Sequence, residues 1–263
     1  MIGEAGGFVS TNIHASVSGM VMKLENRYMP HGMISQCVVI KNDGQDTLCE
    51  DIKPRSEEEI TPDLIRQVLR EKGIAGMGGA TFPTDIKAVT AQGRVDTILV
   101  NACECEPYIT ADDALLCSYP EQIFRGLAAL DAALHPDRRV IAVEDNKSEA
   151  IAILRRHLPD WPGVELAVLP TRYPQGAEKQ LIQAVTGRQV PPGHLPFSVG
   201  CAVFNAGTVA AVYRAVYEGK PVTKRIVTVT GEGVKEPKNL IVRIGTPFCP
   251  GHRGRRRPHG GRL

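Results

Sequence analysis

No stretch of this sequence comes near the roughly 20 consecutive apolar residues that a membrane-spanning helix needs, so any attachment to a bilayer must run through partners. Aromatic residues make up only 5% of the chain, and a strong charge of either sign is missing: 31 basic side chains face 29 acidic ones. Five of the arginines crowd into the tail after Phe248, which holds no acid. Without them the balance is 26 basic against 29 acidic, or −3. The body of the chain is therefore mildly acidic and carries no nucleic-acid-binding signature. No secretory signal precedes the seven cysteines, and their odd number and spacing make no disulfide framework, so a reducing compartment is expected. No two cysteines stand in a Cys-x-x-Cys spacing, which excludes the runs that hold 4Fe-4S clusters.

What is present suffices for a core. Apolar residues make up 43% of 263, enough for one large α/β domain with smaller appendages. The opening, with Gly3-Glu-Ala-Gly-Gly-Phe8 and His14-Ala-Ser-Val-Ser-Gly-Met-Val21, alternates small, polar and β-branched residues, and strand character resumes over 38–40 before an Asn42-Asp43-Gly44 turn. A small β module is expected there, ending in a charged linker over 54–59. From Thr61 the pattern changes. Thr61 suits an N-cap, Pro62 the first helical position, and Ile60 can staple onto Ile65, with Gly73 closing the helix. Strands are expected over 95–100, 139–143 and 164–169. Helices are expected from Pro120, after an Asn146 cap with Glu149 in a capping box, over 177–186 with Gly187 as the stop, and over 208–218. Strands alternating with helices of this length imply crossovers and a mostly parallel, Rossmann-like sheet with helices on both faces. After Arg225 the pattern returns to β, with a hairpin around Gly231-Glu-Gly233. The last fifteen residues cannot pack, and a shifted reading frame or a truncation is expected there because they interrupt a strand-rich segment.

Four blocks carry chemistry. In Gly73-Ile-Ala-Gly-Met-Gly-Gly-Ala-Thr-Phe-Pro-Thr-Asp-Ile-Lys87, glycines at 76, 78 and 79 remove side chains where a backbone must approach a ligand, and a helix start follows whose N–H groups can face a phosphate. The block is neither Gly-x-Gly-x-x-Gly, since position 81 is Thr, nor a Walker loop. A tight interdomain loop is the plainer reading. Asn101-Ala-Cys-Glu-Cys-Glu-Pro-Tyr-Ile-Thr-Ala-Asp-Asp113 follows a buried strand, at the carboxyl edge where parallel sheets bind ligands. Asn101, Glu104 and Glu106 there suit ring edges and ribose hydroxyls, or else are solvated loop charge. Cys103 and Cys105 read as small loop residues. Tyr173-Pro-Gln-Gly-Ala-Glu178 (with Gly176) and Val203-Phe-Asn-Ala-Gly-Thr208 each open a helix, and Asn205 or Thr208 can be an ordinary cap.

Taken in order, these blocks resemble the RnfC family of the Rnf electron transport complex and, more distantly, the flavin-binding subunit of respiratory complex I. The resemblance runs from about Gly3 to Phe248, and Glu-Cys-Glu-Pro-Tyr-Ile-Thr at 104–110 is close to a signature of the Rnf branch. It implies FMN across Gly76, Gly78 and Gly79 with Lys87 and Asn101 in polar contact. It also implies Glu104, Gly176 and Glu178 near flavin or nicotinamide, Phe82 and Glu106 on the NADH side, and Asn205 and Thr208 at the flavin phosphate. Thr81 departs from a commonly seen Gly, and Cys103 and Cys105 replace Asp and Ser of the complex I relative. The implied chemistry is hydride exchange between NAD(H) and flavin, with electrons passing to 4Fe-4S clusters that this chain's cysteines do not hold, and indirectly to ferredoxin. The implied partners are the other Rnf subunits, and the implied place is peripheral, on the cytoplasmic side of the bacterial inner membrane. The implied domains are a partial barrel-sandwich hybrid module (1–53), an FMN/NADH-binding α/β domain (54–222), a partial β-grasp domain (223–248) and a disordered basic tail (249–263). Two rivals stand beside this reading: a non-catalytic scaffold protein of the same complex, and a carrier module modified at Lys23 between Met22 and Leu24.

Overall fold

The computed structural model describes residues 1–29 and 32–247. The expected disordered tail over 249–263 lies outside the described residues.

Four strands form a parallel sheet in the order β5-β4-β3-β6: β3 (Thr97–Ala102), β4 (Arg138–Glu144), β5 (Val164–Leu169) and β6 (Cys201–Asn205). Alternation of side chains across β3 divides the core. Ile98, Val100 and Ala102 face one cluster with Phe124, Leu127 and Leu130 of α4 (Pro120–Leu134), Leu154 of α5 (Ser148–His157) and Val209 and Val212 of α7 (Ala206–Val216). Leu99 faces the other cluster with Leu181 and Ile182 of α6 (Glu178–Thr186). Helices thus cover both faces, as crossovers between parallel strands require. α1 (Pro62–Glu71) packs Ile65, Val68 and Leu69 into the first cluster, and Thr61 caps it by accepting from the Leu64 N–H at 3.2 Å. Gly73 follows at φ +68°; a Cβ there would stand 2.1 Å from the Asn12 carbonyl oxygen, so the turn needs glycine twice over.

Two antiparallel ribbons flank this body: β1 (Gly19–Tyr28) with β2 (Ile34–Asn42), and β7 (Lys224–Val229) with β8 (Lys238–Arg243). The first strand takes in only the last three residues of the His14–Val21 block, beginning at Gly19, because Ser16 and Val17 bend away from the ladder. Lys23 lies within β1 beside a bulge, ion-paired with Glu25 and away from any hairpin turn, a poor position for a carrier lysine.

Several expectations need correction. Asn146 does not cap α5. The chain first closes a turn from the Lys147 N–H to the Glu144 carbonyl (3.1 Å), which places Lys147 at the cap position with no side-chain cap bond. The last large helix starts at Ala206, two residues early, because Asn205 caps it. Strand β6, helix α2 (Thr84–Ala91) beyond its first turns, and the whole of α3 (Ala111–Ser118) are elements that the sequence pattern did not mark.

Candidate flavin and nicotinamide cleft

The glycine block forms a closed loop. Ala75 bridges Pro83, the Gly76 N–H donates to the Phe82 carbonyl (2.8 Å) and the Thr84 N–H to the Ile74 carbonyl (2.9 Å), so residues 77–82 stand at the tip. The tip is pinned from two sides. The Met77 N–H donates to Thr208 Oγ1 (2.9 Å), and Arg225 Nη2 donates to the Met77 carbonyl (3.0 Å). A Cβ on Gly78 would stand 2.9 Å from the Asn205 side chain, whereas one on Gly79 would meet nothing within 4 Å. Thr81 sits at φ +55°, a left-handed conformation that a β-branched residue adopts only under strain. Helix α2 then starts at Thr84 with no side-chain cap; its first N–H, that of Thr84, is the one taken by the Ile74 carbonyl, and Thr84, Asp85 and Ile86 are buried.

Across the cleft, the strand ends are tied together. Asn101, near the end of β3, donates through Nδ2 to the Gly176 carbonyl (2.8 Å) and accepts the Cys103 N–H on Oδ1 (3.1 Å). Glu104, whose side chain is 5% exposed, accepts the Asp112 and Asp113 N–H groups (2.7 and 3.1 Å), with Lys147 Nζ at 3.7 Å. It serves as the cap of α3, which Thr110 does not provide. Lys87 Nζ ion-pairs with Glu178 (2.8 Å), bonds the Val203 carbonyl and lies over the Phe204 ring. Glu106 is exposed, and Phe82 is 42% exposed. Asn205 Oδ1 accepts the Gly207 N–H (2.9 Å) at the head of α7.

Gly76, Gly78, Gly79, Phe82, Lys87, Asn101, Glu104, Glu106, Gly176, Glu178, Asn205 and Thr208 all line one cleft of ≈ 2260 Å³. That space runs on from the strand ends past Phe8 and Leu48 and along β7, and exceeds the roughly 300–1,000 Å³ usual for one small-molecule site. The bare backbone at Gly79, with nothing within 4 Å of an added Cβ, fits the close approach of a planar group.

The structure adds residues that the sequence did not single out. Asp112 lines the cleft and accepts a hydrogen bond from Asn205 Nδ2. Burial, then the Glu104 charge, push its carboxyl up to about 7, against the opposing pull of Asn205, Arg225 and Lys147. Arg225 comes from β7; burial lowers its pKa and Asp112 raises it. Thr228 and Asn239 clasp Thr110, the first by receiving its N–H (3.2 Å) and the second by donating to its carbonyl (3.1 Å). Tyr173 also lines the cleft. Burial pushes the Cys103 thiol up to about 12, which makes it inert, as expected of a small packing residue. Among the described residues no group of three or more His, Cys, Asp or Glu side chains can hold a metal ion, and no helix is long and apolar enough to cross a membrane. An acid in the first turn of an unmarked helix is the one sequence signal for Asp112. Arg225 has none, since its partner lies 148 residues away.

Residues 69–214 match the Nuo51 FMN-binding domain, and residues 1–45 the RnfC barrel sandwich hybrid domain. The chain is 43% identical over 94% of its length to the RnfC-type protein of the Na(+)-translocating ferredoxin:NAD(+) oxidoreductase complex of Acetobacterium woodii, covering 56% of that protein. It is 40% identical over 94% of its length to the counterpart in the proton-translocating complex of Clostridium ljungdahlii, covering 54%. With the counterpart in the ion-translocating oxidoreductase complex of Vibrio cholerae it shares 40% identity over 89% of its length, covering 30%. It thus spans about half the length, or less, of these curated relatives. Among solved structures it is similar to an NAD+-reducing [NiFe]-hydrogenase in the air-oxidized state (TM-score 0.52, 28% identity, 59% of this chain and 30% of that one). The chain belongs to the Nuo51 FMN-binding domain family, and its curated relatives are the RnfC-type members of ion-translocating oxidoreductase complexes.

Proposed function

We propose that the cleft binds FMN together with NAD(H), and that the chain is the flavin- and nicotinamide-binding part of a membrane-attached, ion-translocating electron-transfer complex. In this reading it sits peripherally on the cytoplasmic side of the bacterial inner membrane, with the other proteins of the complex as partners and ferredoxin as an indirect one. The supporting observation is convergence: four sequence blocks spread over more than 130 positions meet in one continuous space. FMN, when bound, supplies acceptance of two electrons as hydride and their release one at a time, which no side chain can do.

The residues bind, orient and shield. Gly79 leaves backbone bare against the ligand, Gly78 lets the Asn205 side chain close on the loop, Asn205 and Thr208 stand at the phosphate end, and Lys87 brings a cation held in place by Glu178. Asn101 fixes the separation of the two strand-end loops, Glu104 orders α3, and Phe82 with Glu106 forms the nicotinamide side. The chain's cysteines provide no cluster ligands, so reduction of bound flavin by NADH is its expected activity. Residues 54–222 carry the binding domain, with a barrel-sandwich module over 1–53 and the opening of a β-grasp domain over 223–248.

The scaffold alternative has one observation in its favour: Lys87, Asn101, Glu104 and Glu178 are already bonded to protein partners. Reconstitution separates the readings. Purified protein incubated with FMN and desalted should keep flavin absorbance, and NADH should bleach it. No retained flavin sinks the proposal, and retention without bleaching selects the scaffold.

A further inference from the structure

The Asp112 carboxyl stands where the cleft would receive an anion. It projects from the first turn of α3, and its Oδ2 accepts from Asn205 Nδ2. Its Oδ1 lies 3.7 Å from the point at which a Cβ on Gly207 would sit, so it shares the space at the head of α7, an 11-residue helix. The charges around it are in short supply of cations. Glu104 faces it from the preceding loop, Arg225 from β7, Lys147 from the turn before α5, and the neutral Cys103 from the end of β3. Asp113, beside it, draws on the same Lys147 at 3.9 Å. Glu144, on β4, faces Lys147 and Glu104. With Asp112 ionised, Glu104, Asp112 and Asp113 share two cations.

A phosphate dianion at the head of α7 adds two negative charges to this cluster. An ionised Asp112 repels it. A neutral Asp112 keeps its bond from Asn205 and turns Oδ1–H into a donor for a phosphate oxygen. This step rests on the proposed binding of FMN with its phosphate beside Asn205 and Thr208. We propose that Asp112 is a proton-coupled gate at the phosphate end of the cleft: the chain binds FMN with Asp112 in its neutral form, drawing the proton from solvent. Burial and the Glu104 charge hold the free carboxyl at about 7, so the proton is taken up in the neutral to mildly alkaline range.

The test is FMN binding to the full chain between pH 6 and 8.5, followed by flavin fluorescence, for the wild type and Asp112→Asn, with riboflavin as the phosphate-free probe. One linked proton gives a limiting loss of about tenfold in affinity per pH unit above 7. The wild type should show it relative to Asp112→Asn, a comparison that cancels the second ionisation of the FMN phosphate itself, near about 6. Riboflavin should show no Asp112-dependent slope. Calorimetry of the wild type at pH 8 in two buffers of different ionisation enthalpy should read close to one proton taken up per FMN, which keeps the test decisive even where Asp112→Asn folds poorly. Flavin binding with parallel wild-type and Asp112→Asn profiles, or with no proton uptake, overturns the gate and leaves the FMN reading intact. Folded protein that binds neither FMN nor riboflavin at any pH overturns the FMN reading and the gate with it.

Discussion

Gly176→Ala puts a single methyl between the two strand-end loops. The added Cβ would stand 2.1 Å from the Cys103 carbonyl oxygen, 3.2 Å from its carbon and 3.4 Å from Cys105 Sγ. A comfortable C···O approach is about 3.3 Å, so the loops must part by roughly 1 Å. Gly176 is not among the glycines with left-handed φ, so the effect is steric rather than conformational. Overpacking of this kind costs about 1–3 kcal/mol. The parting also breaks the Asn101 Nδ2 bond to the Gly176 carbonyl, worth about 1 kcal/mol net. The sum, about 2–4 kcal/mol, should appear in urea unfolding followed by circular dichroism as a lower midpoint at unchanged slope. A variant within about 0.5 kcal/mol of wild type would mean that the loops yield freely and that Asn101 does not fix their separation.

Gly79→Ala should behave oppositely: with no atom within 4 Å, stability should hold or rise by about 0.4–1 kcal/mol, while FMN affinity falls about tenfold or more because the methyl enters the ligand's space. Unchanged FMN titration would remove Gly79 from the site. Thr81→Gly relieves a left-handed β-branched residue and should stabilise the chain by up to about 1 kcal/mol, net of the added freedom of the unfolded chain, as read from the urea midpoint. Asp112→Asn should change the pH dependence of stability. An acid raised from 3.8 to about 7 leaves the folded state holding more protons than the unfolded one, so stability is lost as pH rises through that window. The ceiling is about 1.4 kcal/mol per unit over about three units, reduced by access to the cleft. The substitution should therefore gain about 2 kcal/mol more at pH 8 than at pH 4 in paired urea melts, and equal gains at both would refute the burial of an ionised carboxylate.

The legible parts of this fold are those whose signals are local. Ile123, Leu127, Leu130 and Leu134 mark one face of α4, Thr61-Pro62 marks a helix start, and Gly187 at φ +73° marks a stop. Strand β6 was hidden because Cys201–Asn205 runs into α7 without a turn residue, and a continuous apolar run has no period to separate strand from helix. Helix α3 was hidden because its cap is Glu104, which stands six residues ahead of Thr110 rather than next to the helix. The glycine, Asn and Glu positions of the cleft were visible as residue types in a recognisable order. Their bonding was not. Lys87 with Glu178 and Arg225 with Met77 are products of the packed fold, as is the crowding at Asp112.

The clasp that Thr228 and Asn239 make on Thr110, with Arg225 gripping the loop tip at Met77, changes what the chain segment around 222 means. In composition it is a border between an α/β body and a β ribbon. In mechanics it is a joint: the ribbon carries the braces for both lips of the cleft. Strain applied to β7 and β8 by whatever docks beyond them has a direct bonded route to the two loops, and a fragment cut at that border would keep the sheet while losing the braces that hold its mouth in shape.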